Sequence, residues 1–315
     1  MVCKKIIFRS DAGSDIGYGH FIRSLALADM LKDEFDCQFV TQTPTDYQKK
    51  VLSEVCDYRV LPADVRKFEF FLNMLIGDEI VVLDNYFFDT SYQYAIKQKG
   101  CHLVCIDDKH DKYYVSDVLI NHTLTNPSLF NVAPYTRLCL GLKWALLRRP
   151  FLETIKCERN HAHVVVAFGG SDPYDLTFKM ARILNQRRDI TRITAIVGDA
   201  YVGAHLGSLS KVEIVKNLTA QQIADLFRRV GFAVLSSSTI AIEALACGCP
   251  IYAGYYVDNQ VEFYSLLVRE RLVVPLGNLL EKSISIPVNR YVTAPLFHSQ
   301  GIIQNYKSLF ASLCS

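Results

Sequence analysis

The sequence predicts an α/β chain made of two doubly wound parallel-sheet domains. Three observations predict it. Short apolar, β-branched runs alternate with longer amphipathic stretches along most of the 315 residues. The strand candidates are continuous apolar runs, the pattern of a parallel sheet covered on both faces. The alternation also stops in a proline-bearing stretch and then resumes, and the length suits about two domains of ~100–200 residues each.

The first strand is Lys5-Ile6-Ile7-Phe8-Arg9. The helix after it begins near His20, with Ile22, Leu25, Leu27, Ala28 and Leu31 as its apolar face. Strands follow at 37–41, 58–61, 79–84, 102–106 and 118–121, with helical patterns between most of them, as at 91–99. Residues 122–150 change character, holding Asn126-Pro127, Ala133-Pro134 and Leu147-Arg148-Arg149-Pro150. They separate a first domain, 1–150, from a second, 151–315. The second opens on a strand and glycine loop at 163–170, then a helix at 174–185 and strands at 192–197 and 212–215. A helix at 221–229, a strand at 232–235, a helix at 240–247, a strand at 251–253 and a helix at 260–270 complete it. Both domains are expected to be Rossmann-like and to face each other across a cleft. In such sheets ligands sit at the carboxyl ends of the strands. Residues 280–315 carry no readable element.

Composition narrows the function. Lys and Arg number 34 against 32 Asp and Glu, a formal charge of +2, which gives no reason to expect nucleic acid or an anionic membrane as main partner. The ten cysteines are scattered without C-x-x-C spacing and read as reduced thiols. No apolar run approaches the ~18 residues of a membrane span, and the amino-terminal run is too short for a signal peptide. The expectation is a soluble, cytoplasmic monomer with no nucleic-acid partner and no membrane insertion.

Four loops at strand ends concentrate small or chemically useful residues: SDAGSDIGYGH (10–20), LDNYFFD (83–89), FGGSDP (168–173) and SSSTIAIEALACGCP (236–250). A strand, a glycine-bearing loop and a helix start form a common phosphate or nucleotide-sugar site, because backbone N–H groups and the helix dipole favour an anion there. His20 stands at such a start, either as a site residue or as one that packs or caps. Gly17 and Gly19 do not complete G-x-G-x-x-G, since position 22 is Ile. In the fourth loop, Ser236–Thr239 leads into a helix whose N–H groups and hydroxyls suit a diphosphate, with Glu243 placed to accept from two vicinal hydroxyls of a ribose. The alternative is a plain Ser/Thr cap with Glu243 in a capping box. Asp107-Asp108 reads as turn chemistry. No zinc-ligand spacing and no G-x-S-x-G elbow is present, and no glycosidase-type carboxylate pair stands out.

RSDAGSDIGYGHFIRSLALA resembles the amino-terminal signature of the UDP-sugar hydrolases of the pseudaminic acid pathway. The likeness continues in order through VVLDNYFFD, CIDDKH, VSDVLIN, GLKWALLRRPF, VVVAFGGSDPYDLT and LSSSTIAIEALACGCPIYAGYYVDNQ, over roughly residues 5–275. These enzymes cleave UDP-2,4-diacetamido-2,4,6-trideoxy-β-L-altropyranose to the sugar and UDP. They are similar in fold to the GT-B glycosyltransferases, with the peptidoglycan UDP-GlcNAc transferase as a relative. The resemblance implies that His20 is the catalytic base and that Tyr86 lies beside the sugar. It implies that Ser237, Ser238, Thr239, Glu243, Asn259 and Gln260 bind UDP, and that Asp11, Gly17, Gly19, Arg23, Gly170 and Ser171 also line the substrate site. Asn85 is neutral for chemistry. Neither metal nor other cofactor is implied. Water activated by His20 would attack the anomeric carbon with inversion, in a pathway that supplies surface-glycan or flagellin glycosylation. The rival readings are an inverting GT-B UDP-sugar transferase using a hydroxyl acceptor, and a non-catalytic nucleotide-sugar binding protein.

Overall fold

A computed structural model describes residues 5–12, 19–287 and 301–314. The chain divides into two compact units, Met1–Arg149 with Gly301–Ser315, and Pro150–Gln300.

The first unit is built on β1 (Lys5–Arg9), β2 (Asp36–Gln42), β3 (Asp57–Leu61), β4 (Ile80–Leu83) and β5 (His102–Ile106). A two-residue pair, β6 (Tyr113–Tyr114) and β8 (Asn131–Val132), lies apart from the main sheet, which β7 (Val118–Asn121) and β9 (Arg137–Leu140) complete. The order is β3-β2-β1-β4-β5-β7-β9, and every pair is parallel. The helices are α1 (Gly19–Leu31), α2 (Asp46–Ser53), α3 (Arg66–Met74) and α4 (Thr90–Gln98). The start of α2 is set by a capping box between Thr45 and Gln48, and the start of α4 by Asp89, whose carboxylate accepts from Tyr92 N–H. All four residues of β4 are buried, as a central parallel strand requires.

The one-turn helix α5 (Arg149–Leu152) lies at the boundary. The second unit then runs β10 (Asn160–Ala167), α6 (Leu176–Asn185), β11 (Arg192–Ile196), β12 (Val212–Val215), α7 (Ala220–Arg229), β13 (Val230–Ser236), α8 (Thr239–Ala246), β14 (Ile251–Tyr255), α9 (Val261–Arg269) and β15 (Val274–Asn278). Its all-parallel order, β12-β11-β10-β13-β14-β15, repeats the arrangement of the first unit. In each sheet the direction of winding reverses beside the first strand, between β1 and β4 and between β10 and β13. Such switch points are where open α/β sheets bind ligands.

The second domain read from sequence, 151–315, needs correcting at its end. Helix α10 (Ile302–Ser312) belongs to the first unit. Ile302, Tyr306, Leu309 and Phe310 form one buried face on it. The Tyr306 ring lies 5.3 Å from that of Trp144, and Phe310 lies 6.3 Å from Phe35. No disulfide joins the cysteines among the described residues. Among the same residues no helix is long and apolar enough to cross a membrane.

Candidate active site

The loops leaving β1 and β4 meet at the switch point of the first unit. Asn85 ties them together: its Oδ1 accepts from Asp11 N–H at 2.7 Å and its Nδ2 donates to the Asp11 carbonyl at 3.2 Å. Asp84, fully buried at the end of β4, is the hub. His20 Nδ1 lies 2.7 Å from Asp84 Oδ1. Arg23 donates to both oxygens, from Nε at 2.7 Å and from Nη2 at 2.6 Å, and Ser24 Oγ donates at 3.1 Å. Arg23 Nη2 lies 3.0 Å from the same ring nitrogen, but it already donates to Asp84 Oδ1. Because a carboxylate only accepts, the shorter His20–Asp84 contact favours the tautomer with its proton on Nδ1 and Nε2 as the basic nitrogen. Residues 20, 23 and 24 reach one carboxylate together because they lie on the first turn and a half of α1.

A second carboxylate extends the cluster. Asp108 Oδ2 accepts from Arg23 Nη1 at 3.0 Å and from the Tyr86 hydroxyl at 3.2 Å. The Tyr86 ring stands edge-on to His20, centroids 4.5 Å apart at 86°, and Lys109 Nζ lies 3.8 Å over the same ring. Burial opposes ionisation of Asp108, but the Arg23 charge, with the hydrogen bonds from Arg23 and Tyr86, outweighs it and holds the carboxyl below the usual range. Burial likewise opposes the Arg23 charge, and Asp84, then Asp108, raise its pKa all the same.

Two residues expected to line the substrate are placed differently. The Asp11 carboxylate is fully buried, ion-paired with Arg9, 3.1 Å from Lys67 Nζ, and accepts from Gln42 N–H at 2.9 Å. It therefore anchors the base of the loop. Arg23 is buried between Asp84 and Asp108 and holds His20's partner in place. Gly19 is the exposed first residue of α1, and a side chain there would meet nothing within 4 Å among the described residues. Gly17 lies outside the described residues.

In the second unit, the loops leaving β10, β13 and β14 carry the remaining candidates. Gly170 and Ser171 are exposed after β10. Gly169 has φ +97°, which favours glycine, and Gly198 approaches so closely that a Cβ on it would meet the Gly170 carbonyl oxygen at 2.5 Å. Asp172 turns inward and accepts from Leu176 and Thr177 N–H at 2.9 and 2.7 Å, anchoring α6. After β13, Ser238 is the N-cap residue of α8 but its side chain does not cap, so the plain-cap reading of this loop fails. Its Oγ lies instead 3.1 Å from Ser236 Oγ. The Ser237 hydroxyl is buried and has no hydrogen-bond partner among the described residues. Thr239 is exposed and Glu243 is buried on the same helix. Asn259 is exposed, whereas Gln260 is buried and its Oε1 accepts from Tyr256 N–H at 3.1 Å, shaping the loop after β14.

Comparison with known proteins bears on the fold. No family profile matches the chain. It is 25% identical over 284 residues to an uncharacterized protein of Methanocaldococcus jannaschii, covering 82% of this chain and 57% of that protein, so the chain spans little more than half of that relative's length. It is 24% identical over 269 residues to the UDP-2,4-diacetamido-2,4,6-trideoxy-β-L-altropyranose hydrolase of Campylobacter jejuni, covering 81% of this chain and 93% of that one. Among solved structures it superposes on the calicheamicin glycosyltransferase CalG4 with TM-score 0.59 at 12% identity, covering 100% of this chain and 96% of that one. MurG of Acinetobacter baumannii gives TM-score 0.58 at 10% identity, with 99% and 91% covered. The fold is GT-B.

Within this GT-B chain the predicted site residues fall into two groups, one at the switch point of each Rossmann-like unit. His20, Arg23 and Tyr86 come together in the first. Ser237, Ser238, Thr239 and Glu243 surround the start of α8 in the second. Sequence reasoning missed Asp84, Ser24 and Asp108. Asp84 ends an apolar strand, which is a readable signal, but its pairing with Arg23 spans 61 positions and leaves no local trace. Of the Asp107-Asp108 pair, Asp107 does make the turn, accepting from His110 N–H at 2.6 Å, while Asp108 joins the cluster.

Proposed function

We propose that the chain is a UDP-sugar hydrolase acting on a UDP-linked 2,4-diacetamido-2,4,6-trideoxy sugar, as in pseudaminic acid biosynthesis. The observation that carries the reading is the His20–Asp84 pair at the end of β4. Asp84 holds the Nδ1 proton, so Nε2 can take a proton from water, the usual general-base role of imidazole. The water oxygen then bonds to the anomeric carbon as the bond from that carbon to the β-phosphate oxygen breaks. The electron pair leaves with UDP, and attack opposite the leaving group inverts the anomeric centre. The second unit binds UDP. The uncapped N–H groups at the start of α8, with Ser237, Ser238 and Thr239, meet charge developing on the β-phosphate, and Asn259 stands on the neighbouring loop. The likeness to the Campylobacter hydrolase supports the substrate class.

A transferase is the second reading. The same base would deprotonate a hydroxyl acceptor, and a pocket of about 440 Å³ lined by Phe68, Phe87, Asp89, Ser91, Tyr92 and Ala95 lies beside the loop after β4. That size lies within the usual range for small-molecule sites. Incubation with a panel of UDP-sugars, followed by phosphorus and proton NMR, tests both. Release of UDP and an inverted free sugar without any acceptor is the expected result. Release only on addition of a hydroxyl acceptor makes the protein a transferase.

A further inference from the structure

Asp108 has one oxygen in use and one idle. Oδ2 accepts from both Arg23 and Tyr86, whereas Oδ1 is enclosed and has no hydrogen-bond partner among the described residues. An ionised carboxylate oxygen without a donor is costly, and native structures seldom leave one unless something else supplies the bond. The local turn does not claim it, because Asp107 serves that turn. The rest of the group borders solvent: the Asp108 side chain is 33% exposed, and the neighbouring Tyr86 is 40% exposed beneath Lys109. The charge of the group also limits what can bind. A carboxylate repels a diphosphate, so this edge of the cluster faces the uncharged part of a substrate. It accepts only from O–H or N–H groups.

We propose that Asp108 selects the sugar: Oδ1 accepts a hydrogen bond from a hydroxyl or amide N–H of the sugar, while Oδ2 keeps Arg23 and Tyr86 in place. This rests on the UDP-sugar reading above and assigns a residue that the sequence resemblance leaves out. The informative variant is Asp108→Asn. Arg23 offers only donors, so the Asn oxygen stays on the Arg23 side and its amide N–H₂ falls where Oδ1 was. The scaffold is kept, but a donor now confronts the sugar's donor.

The experiment measures kcat and KM for the UDP-diacetamido sugar and for analogues lacking one donor each, the 3-deoxy compound and the two N-methylated amides. Wild type is expected to lose about 10- to 100-fold in kcat/KM with one analogue, the range for a hydrogen bond to a charged group. Asp108→Asn should lose a similar factor with the parent compound, chiefly through KM, at an unchanged melting temperature, and should no longer distinguish that analogue. Equal penalties in both proteins for every analogue, or a variant with normal kcat/KM for the parent, overturn the inference. A wild type that turns over no UDP-sugar fails the hydrolase reading instead, and calorimetric titration of the same nucleotides into both proteins then decides Asp108 by the same comparison. Absence of binding to wild type overturns both.

Discussion

At the scale of single residues, Asp84 is surrounded by donors from three positions of one helix, and Arg23 alone reaches both of its oxygens. His20→Asn leaves Arg23 and Ser24 on both Asp84 oxygens. It should therefore melt as wild type does while kcat falls by about 10²–10⁴, the usual contribution of a positioned general base. Turnover and a thermal melt of this variant check it. Near-normal kcat in the folded protein would make His20 a packing residue. His20 was legible from sequence because a glycine loop before an amphipathic helix is a local pattern. The role of Arg23 was not, because its partners, Asp84 and Asp108, follow β4 and β5 and only the sheet brings them together. The surroundings of Asp11 were illegible for the same reason: nothing local shows that Arg9 and Lys67 enclose it.

At the scale of elements, the start of α8 combines an uncapped helix with a buried, unpartnered Ser237 hydroxyl. Such a group costs stability in the ligand-free protein, about 1–3 kcal/mol for an unsatisfied buried hydrogen-bonding group. Ser237→Ala should thus hold or raise the denaturation midpoint while weakening UDP binding. Denaturant titration and calorimetry test the two halves, and a variant with lower stability and unaltered UDP affinity contradicts the assignment. Helix α10 is the opposite case, an element held by packing. Phe310 is fully buried on it, so Phe310→Ala should destabilise the first unit by about 3–5 kcal/mol, read from denaturant unfolding. No element was legible in the sequence over Ile302–Ser312, because this helix stands outside the strand–helix alternation that marked the others. Nor does anything local in it show which unit its buried face covers. The central strands were legible because complete burial makes them continuous apolar runs. The pairs at Tyr113–Tyr114 and Asn131–Val132 are two residues long and carry no such pattern.

For the whole molecule, acid stability has an identifiable contributor. His122 is buried at the end of β7, and its Nδ1 accepts from Leu146 N–H at 3.3 Å, which requires that nitrogen to be unprotonated. Burial first, and the nearby Arg23 charge second, lower its pKa to about 4. In the unfolded chain a histidine titrates near ~6.5. Above that pH neither state is protonated and the group has no effect on stability. As pH falls from about 6.5 towards 4 the unfolded state gains a proton that the native state refuses, so stability drops, by at most about 3 kcal/mol. Below 4 the loss levels off. His122→Gln, whose side-chain oxygen can accept from Leu146, should flatten this part of the curve. Denaturation midpoints at pH 7 and pH 5 for both proteins measure it, and parallel slopes would remove His122 from the account.

The return of the chain to its first unit sets an order of assembly during synthesis. Strands β1 to β9 and helix α1 leave the ribosome early, but α10, which covers α1, is made only after every residue of the second unit. The second unit is continuous in sequence and can close its own core as it emerges. The first must wait with part of α1 uncovered, an apolar surface of the kind that chaperones hold. The amino-terminal half of this protein is thus translated first and finished last.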